Sequence, residues 1–245
     1  MRILIIRHGD PDYSIDSLTE KGWREAELLS LRLKDEGIDK IYCSPLGRAK
    51  DTARPTLEKT GMDYAIHDWL QEFPLSVTVP YNELGYRENG ENICPWNLYP
   101  QYWTHEEQLY DNGGWLKHDM YANGRADVLY NRVSEGWNTL IASFGYHREG
   151  QIYRYDDNSH KDATIALFCH LGLGLALLSQ MTRISLPLMW HTFFLPTSSV
   201  TTVVMESHRS YINEAHARIV QIGDTSHLYK GNEPVSRSGL FSPIK

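Results

Sequence analysis

Cysteine is scarce: the 245 residues hold three, Cys43, Cys94 and Cys169. No CxxC occurs, so neither a disulfide framework nor a cysteine-based zinc site is expected, and the thiols read as reduced. Long apolar runs are missing as well. Leu171 to Leu178 falls far short of the roughly 20 residues a membrane-spanning helix needs. Ile3 to Ile6 is too short for a signal-peptide core and has no small-residue cleavage site behind it. The expectation is a soluble, cytoplasmic protein. Basic charge is also in deficit. Lys and Arg number 24 against 31 Asp and Glu, for a formal net charge of -7 and a pI of about 5.9. That balance argues against nucleic acid or an anionic membrane as the main partner. It leaves room for a small anionic substrate, because one pocket of Arg and His can be positive on an acidic protein. His105, His118, His147 and His160 lack metal-ligand spacing, so no metal is expected. Gly172 and Gly174 are no dinucleotide fingerprint, because position 177 is Leu, and no cofactor is expected.

What is there is a chain long enough to bury a real core, with 41% hydrophobic residues. Arg2 to Arg7 reads as a buried strand, and Gly9 and Pro11 punctuate its end. Thr19 is an N-cap candidate, Ala26, Leu29 and Leu33 recur at helical spacing, and Gly37 fits the C-terminal cap. Ile41 to Cys43 is a second strand. Ser44-Pro45 then reads as N-cap and first turn of a helix running to about Gly61. A third strand lies near Tyr64 to Ile66. From about Pro74 to His160 the texture changes to Trp, Tyr, Asn and Gly, including Tyr81, Trp96, Tyr99, Tyr102, Trp103 and Trp115, with one clear helix from about Ala126 to Phe144. Order returns with a strand at Thr164 to Cys169, a helix from Gly172 to about Met181, and strands at Ser199 to Met205 and Ala215 to Ile222. Strands alternating with helices at both ends imply βαβ units. The expected fold is α/β, a three-layer α/β/α domain with a mostly parallel sheet. The chain reads as one domain, 1–245, with an insertion at about 76–160 acting as a lid or cap. Its aromatic cluster reads equally as the insertion's own core or as a substrate wall.

Four fragments carry chemistry: Arg7-His8-Gly9, Ser44-Pro45-Leu46-Gly47-Arg48, Leu70-Gln71-Glu72 and Cys169-His170-Leu171-Gly172. Each sits where a strand ends and a turn or helix begins, the ligand-binding rim of open α/β sheets. The set of two His, two Arg and one Glu suits phosphoryl transfer. Arginine forks bind phosphoryl oxygens bidentately, a neutral imidazole can attack phosphorus, and a carboxylic acid can protonate the leaving oxygen. Cys169 beside His170 reads as a small apolar strand residue, since strand neighbours point to opposite faces.

These fragments, with Leu18-Thr19-Glu20-Lys21-Gly22 and the late Gly223-Asp224-Thr225-Ser226-His227-Leu228, resemble the histidine phosphatase superfamily, which includes cofactor-dependent phosphoglycerate mutases. The likeness covers about residues 1–73 and 162–228. It implies His8 as the phosphorylated nucleophile, Arg7 and Arg48 as phosphoryl ligands, and His170 as a partner of the phosphoryl group. Leu171 joins Arg7, His8, Arg48 and His170 in the substrate-binding set, and Glu72, at the family's L-x-E position, is the proton donor and base. Asp10-Pro11-Asp12-Tyr13-Ser14 lacks the family's usual Glu and Asn after RHG. The Arg-His-Tyr-Gly that follows the mutases' acid is absent after Glu72, and Glu83, Glu88 and Glu91 are rival acids. The expected function is hydrolysis of a small phosphate monoester through phospho-His8. The alternatives are a phosphomutase and a non-catalytic phospho-ligand or protein-binding module.

Overall fold

The apolar run near the N-terminus is continuous because the strand it forms is covered on both faces. In the computed structural model, which describes residues 1–78, 92–122, 125–156, 162–207 and 213–240, that run is strand β1 (Arg2–Arg7). Ile3 and Ile5 join one apolar cluster, Leu4 and Ile6 the other. Such two-faced burial is typical of parallel strands at the centre of an α/β sheet.

The principal elements that follow are α1 (Glu20–Leu33), β2 (Lys40–Cys43), α2 (Gly47–Thr60), β3 (Tyr64–Ile66), α3 (Ala126–Ala142), β4 (Tyr146–Glu149) and β5 (Ile152–Tyr155). Then come β6 (Thr164–Cys169), α4 (Leu171–Thr182), α5 (Leu186–Thr192), β7 (Val200–Ser207), β8 (Glu214–Asp224) and α6 (Ser226–Lys230). One eight-stranded sheet runs in the order β3-β2-β6-β1-β7-β8-β5-β4. Pairings from β3 through β1 are parallel and those from β1 to β4 antiparallel. Only β7 and β5 therefore point against β1, so the sheet is mixed in pairing and mostly parallel in direction. Leu29, Leu33, Ala49 and Ala53 bring α1 and α2 onto one face. Val133, Trp137, Leu173, Leu177 and Met189 bring α3, α4 and α5 onto the other. The expected three layers are present.

Several local readings need correction. Ser44 does not cap α2, which starts at Gly47 after Leu46. The Ser44 hydroxyl is engaged with His170 instead, at 2.7 Å. Gly37 has the left-handed φ of +63° but is not the cap of α1, which ends at Leu33. The intervening turn is closed by the Asp35 and Glu36 amides, which donate to the Arg32 and Leu33 carbonyls. The described parts of the segment 76–160 hold more order than their composition suggests. The β4–β5 hairpin joins the main sheet through β8. Trp115 and Tyr121 are fully buried and meet Trp190 of α5 edge-on or tilted, so this part of the aromatic cluster is core shared with the sheet layers. Tyr81 and His160 lie outside the described residues. Among the described residues, no helix is long and apolar enough to cross a membrane.

Candidate active site

Register builds the centre of the site. β1 and β6 are parallel neighbours with Arg7 opposite Cys169. The next residues, His8 and His170, therefore leave the sheet side by side. The His8 amide donates to the Cys169 carbonyl at 2.9 Å, and the two imidazole centroids are 5.1 Å apart. On the far side of β6, β2 delivers Ser44, whose amide donates to the Phe168 carbonyl at 2.9 Å. The Ser44 hydroxyl then lies 2.7 Å from His170 Nε2.

His8 is almost wholly buried, at 2% exposure. Its Nδ1 sits 2.7 Å from the Gly9 carbonyl oxygen. A carbonyl only accepts, so Nδ1 carries the proton and Nε2 keeps its lone pair. Burial, and then the Arg7 charge, hold His8 well below the ordinary histidine pKa, against the opposing pull of the Gly9 carbonyl. Burial and the neighbouring His8 and arginines do the same to His170. Both rings are neutral at neutral pH, the state in which an imidazole can attack phosphorus.

The arginines keep the charge that the histidines give up. Arg7 is 2% exposed. Its Nη1 donates to the Leu195 carbonyl at 2.6 Å and its Nη2 to the Ser238 carbonyl at 3.1 Å. Phe194 lies against the guanidinium at 5.4 Å. Arg48, in the first turn of α2, donates from Nη1 to Asp16 Oδ1 at 2.6 Å, and Tyr13 covers it at 5.4 Å. The Nε of each arginine and Nδ1 of His170 are buried with no partner among the described residues. Buried donors of this kind are costly unless satisfied, and a bound oxyanion would satisfy them.

Glu72 follows a short 3-10 turn, Asp68–Leu70, after β3. Its Oε1 accepts from the Phe73 and Leu173 amides at 2.8 and 2.9 Å, and Oε2 from the Gly172 amide at 3.3 Å. The carboxyl thus caps the N-terminus of α4, with one oxygen weakly engaged. Burial raises its pKa, while those amides and Arg7 pull the other way. Gly172 makes this approach feasible: a Cβ there would strike the Trp96 ring and lie 2.8 Å from Glu72 Oε1. Leu171 is 6% exposed, and its side chain lies near the backbone of Gly239. Cys169 is fully buried with its thiol pushed far up by burial, which leaves it an inert neutral group. Glu83, Glu88 and Glu91 lie outside the described residues.

The sequence reading missed the residues that hold these groups. Asp16 accepts from the Gly47 amide at 2.7 Å besides Arg48. Thr52 Oγ1 accepts from the Gly9 amide at 2.9 Å and donates to the Arg48 carbonyl at 2.7 Å. Both are small polar residues in a loop or helix, a pattern shared with ordinary caps and turns, so only their long-range partners reveal them. No group of three or more potential metal-ligating side chains is found among the described residues.

The model of the histidine phosphatase superfamily (branch 1) matches residues 3–93. A probable phosphoglycerate mutase of Cronobacter sakazakii is 28% identical over 117 residues, 41% of this chain and 54% of that protein. An adenosylcobalamin/alpha-ribazole phosphatase of Salmonella typhimurium is 36% identical over 76 residues, 27% and 37% of the two chains. The aligned part thus spans about half or less of these relatives. A solved mycobacterial glucosyl-3-phosphoglycerate phosphatase superimposes with a TM-score of 0.59 at 20% identity, covering 91% of this chain and 98% of that one. An Entamoeba histolytica phosphoserine phosphatase variant with bound phosphoserine gives 0.57 at 19%, covering 93% and 98%. The histidine phosphatase superfamily model thus matches residues 3–93, and the chain shares its fold with these solved phosphatases over nine-tenths of its length.

Proposed function

We propose that the protein hydrolyses a phosphate monoester through a phosphohistidine formed on His8. The observation that carries this reading is the state of His8: neutral, buried, its Nδ1 tied to the Gly9 carbonyl and its Nε2 lone pair beside His170 and two arginines. In the first step His8 Nε2 attacks phosphorus. The bond to the ester oxygen breaks, and that oxygen leaves with the electron pair and takes a proton from Glu72. Arg7, Arg48 and His170 hold the charge on the equatorial phosphoryl oxygens. In the second step ionised Glu72 takes a proton from water as the water oxygen bonds phosphorus. The N–P bond breaks and its pair returns to Nε2, which releases phosphate. Leu171, at the start of α4, lines the same end of the sheet. The segment 76–160, which contributes Trp96 beside Glu72, selects the substrate as a lid. The neighbours solved with phosphoserine and with 3-phosphoglyceric acid support a small phosphorylated acid as the substrate class.

The test traps labelled substrate by rapid quench and maps the label. Acid-labile, base-stable label on His8 is expected, and label on His170 or Cys169 overturns the assignment. Glu72→Gln should cripple hydrolysis of alkyl phosphates and spare phosphoenzyme formation from an activated aryl phosphate. A phosphomutase reading is favoured by the named mutase relative, and product analysis decides it: isomerised phosphoester without free phosphate would replace the hydrolase reading.

A further inference from the structure

Helix α1 carries a buried carboxylate that the chemistry above does not use. Glu25 has no exposed surface. Its Oε2 accepts from the Asp10 amide at 2.9 Å, and its Oε1 accepts from the Thr197 hydroxyl at 3.0 Å. The Asp10 N–H belongs to the same peptide group as the Gly9 carbonyl, and that carbonyl holds His8 Nδ1 at 2.7 Å. One planar peptide unit therefore receives Glu25 at its N–H end and His8 at its C=O end. We propose that Glu25 is a positioning residue for the nucleophile, acting on the His8 imidazole through the Gly9–Asp10 peptide and the buried turn 195–199. This proposal rests on the reading of His8 as nucleophile.

The electrostatics follow from resonance within the amide. A negative carboxylate on the N–H draws electron density toward the carbonyl oxygen and makes it a stronger acceptor, the cooperative effect of chained hydrogen bonds. A stronger acceptor on Nδ1–H raises the basicity and nucleophilicity of Nε2 and favours the charge that develops on the ring as the N–P bond forms. The arrangement does with one intervening peptide what a carboxylate does directly in a Ser-His-Asp site. The other oxygen supports the geometry. Thr197 lies in a buried turn where the Ser198 amide donates to the His8 carbonyl at 3.0 Å and the Arg7 amide donates to the Ser199 carbonyl at 3.2 Å. Ser198 has a left-handed φ of +56° and its hydroxyl lies 3.0 Å from His227 Nε2. Glu25 thus holds the chain just after His8 and the turn that clips the backbone at Arg7 and His8.

Burial pushes the Glu25 carboxyl up to about 7, so its charge changes across neutral pH. The charged groups that face it are Lys21 one turn earlier on α1 at 3.9 Å, Asp10 on the loop, and Arg7 at the end of β1. Lys21 is itself shared with Glu233, at 2.5 Å. The turn 195–199 presents the Thr197 hydroxyl, and His227 of α6 stands behind Ser198.

The experiment is a pH titration of the resting wild-type enzyme by nitrogen-15 NMR, reading the Asp10 amide and the two His8 ring nitrogens. The Asp10 amide and His8 Nδ1 should move together with one midpoint near 7. A moving Asp10 amide with unmoved His8 nitrogens overturns the relay, and so does the absence of any Asp10 titration. Because this measurement needs no phosphoenzyme, it fails separately from the His8 labelling experiment. Glu25→Gln keeps an acceptor for the Asp10 amide and removes the charge. The rate of phospho-His8 formation should fall on the order of tenfold at pH 8 and lose its limb near pH 7, since charge-assisted bonds are about twice as strong as neutral ones. An unchanged rate and pH profile in a folded Glu25→Gln enzyme overturns the proposal. Glu25→Ala should lose more than Glu25→Gln, because it also frees the turn.

Discussion

Gly172→Ala is the sharpest probe of the acid assignment, because one methyl group there has two neighbours of different kinds. The added Cβ would strike the outer edge of the Trp96 ring, with Cη2 at 2.7 Å, and lie 2.8 Å from Glu72 Oε1. The helical backbone of α4 tolerates alanine, so the cost is steric. Trp96 is itself wedged edge-on against Trp190 at 5.8 Å, and the Trp190 indole N–H donates to the Gly172 carbonyl at 3.1 Å. The ring therefore has little room to retreat, and Glu72 must share the displacement. Overpacking of this kind costs about 1–3 kcal/mol of stability. A catalytic group displaced by about 1 Å loses on the order of 100-fold in rate. The assay compares kcat/KM for an alkyl phosphate and for p-nitrophenyl phosphate, whose leaving group needs little protonation. We expect about a 100-fold loss for the alkyl ester and less than about 10-fold for the aryl ester. Adding Trp96→Ala should return part of the activity by opening the pocket the methyl group needs. Equal losses on both substrates would refute Glu72 as the proton donor, and wild-type kinetics on both would refute the steric argument.

Arg48→Ala should lower kcat by on the order of 100- to 1000-fold with the fold intact; a near-normal kcat in a steady-state assay would remove Arg48 from the phosphoryl clamp. Activity should survive exhaustive chelation, since in the proposed mechanism two arginines and two histidines serve the phosphoryl group; loss on EDTA treatment with rescue by a divalent ion would contradict this. Stability should fall as pH drops below about 6.5, because burial holds His191 and His227 at about 4 and depresses His8 and His170, whereas the unfolded chain protonates near 6.5. Glu25, raised to about 7, acts with the opposite sign between about 4.5 and 7, so urea denaturation should give a steeper acid loss for Glu25→Gln than for wild type.

How legible the site was in the sequence follows from the distance each signal spans. Strand β1, helix α1 with its Thr19 cap, and strand β6 announced themselves through apolar runs and caps a few residues long. Arg7 and His8 at the end of β1, Arg48 in the first turn of α2, Glu72 after the turn that follows β3, and His170 after β6 stood out as candidates because each lies where a strand gives way to a turn or helix. The β4–β5 hairpin was hidden by its polar residues, with His147 opposite Arg154 and Arg148 opposite Tyr153, on the edge of the sheet where solvent accepts charge. Ser44 shows the limit best. As a helix cap it satisfied every local rule, yet its hydroxyl is spent on His170, 126 residues away. Glu25 had no local signal either, since its partners Asp10 and Thr197 meet only after α1 has packed beneath the loop.

The charge arrangement explains why two arginines and two histidines can share one buried pocket. Arginine does not release its proton within a protein, so the cost of crowding four potential cations falls on the imidazoles, which stay neutral. Asp16 offsets part of the charge of Arg48 from outside the pocket, and Glu72 faces Arg7 while bound to backbone amides. The pocket is thus positive while its imidazoles stay neutral, and the charged neighbours help to leave Nε2 of His8, the proposed nucleophile, unprotonated. A phosphate monoester brings negative charge to those guanidinium groups. On the proposed mechanism the phosphoryl group carries that charge with it to Nε2, so the arginines stay paired throughout while only the imidazole and Glu72 change state. On this account, replacing His8 by a residue that cannot be phosphorylated leaves anion binding intact, and replacing either arginine does not.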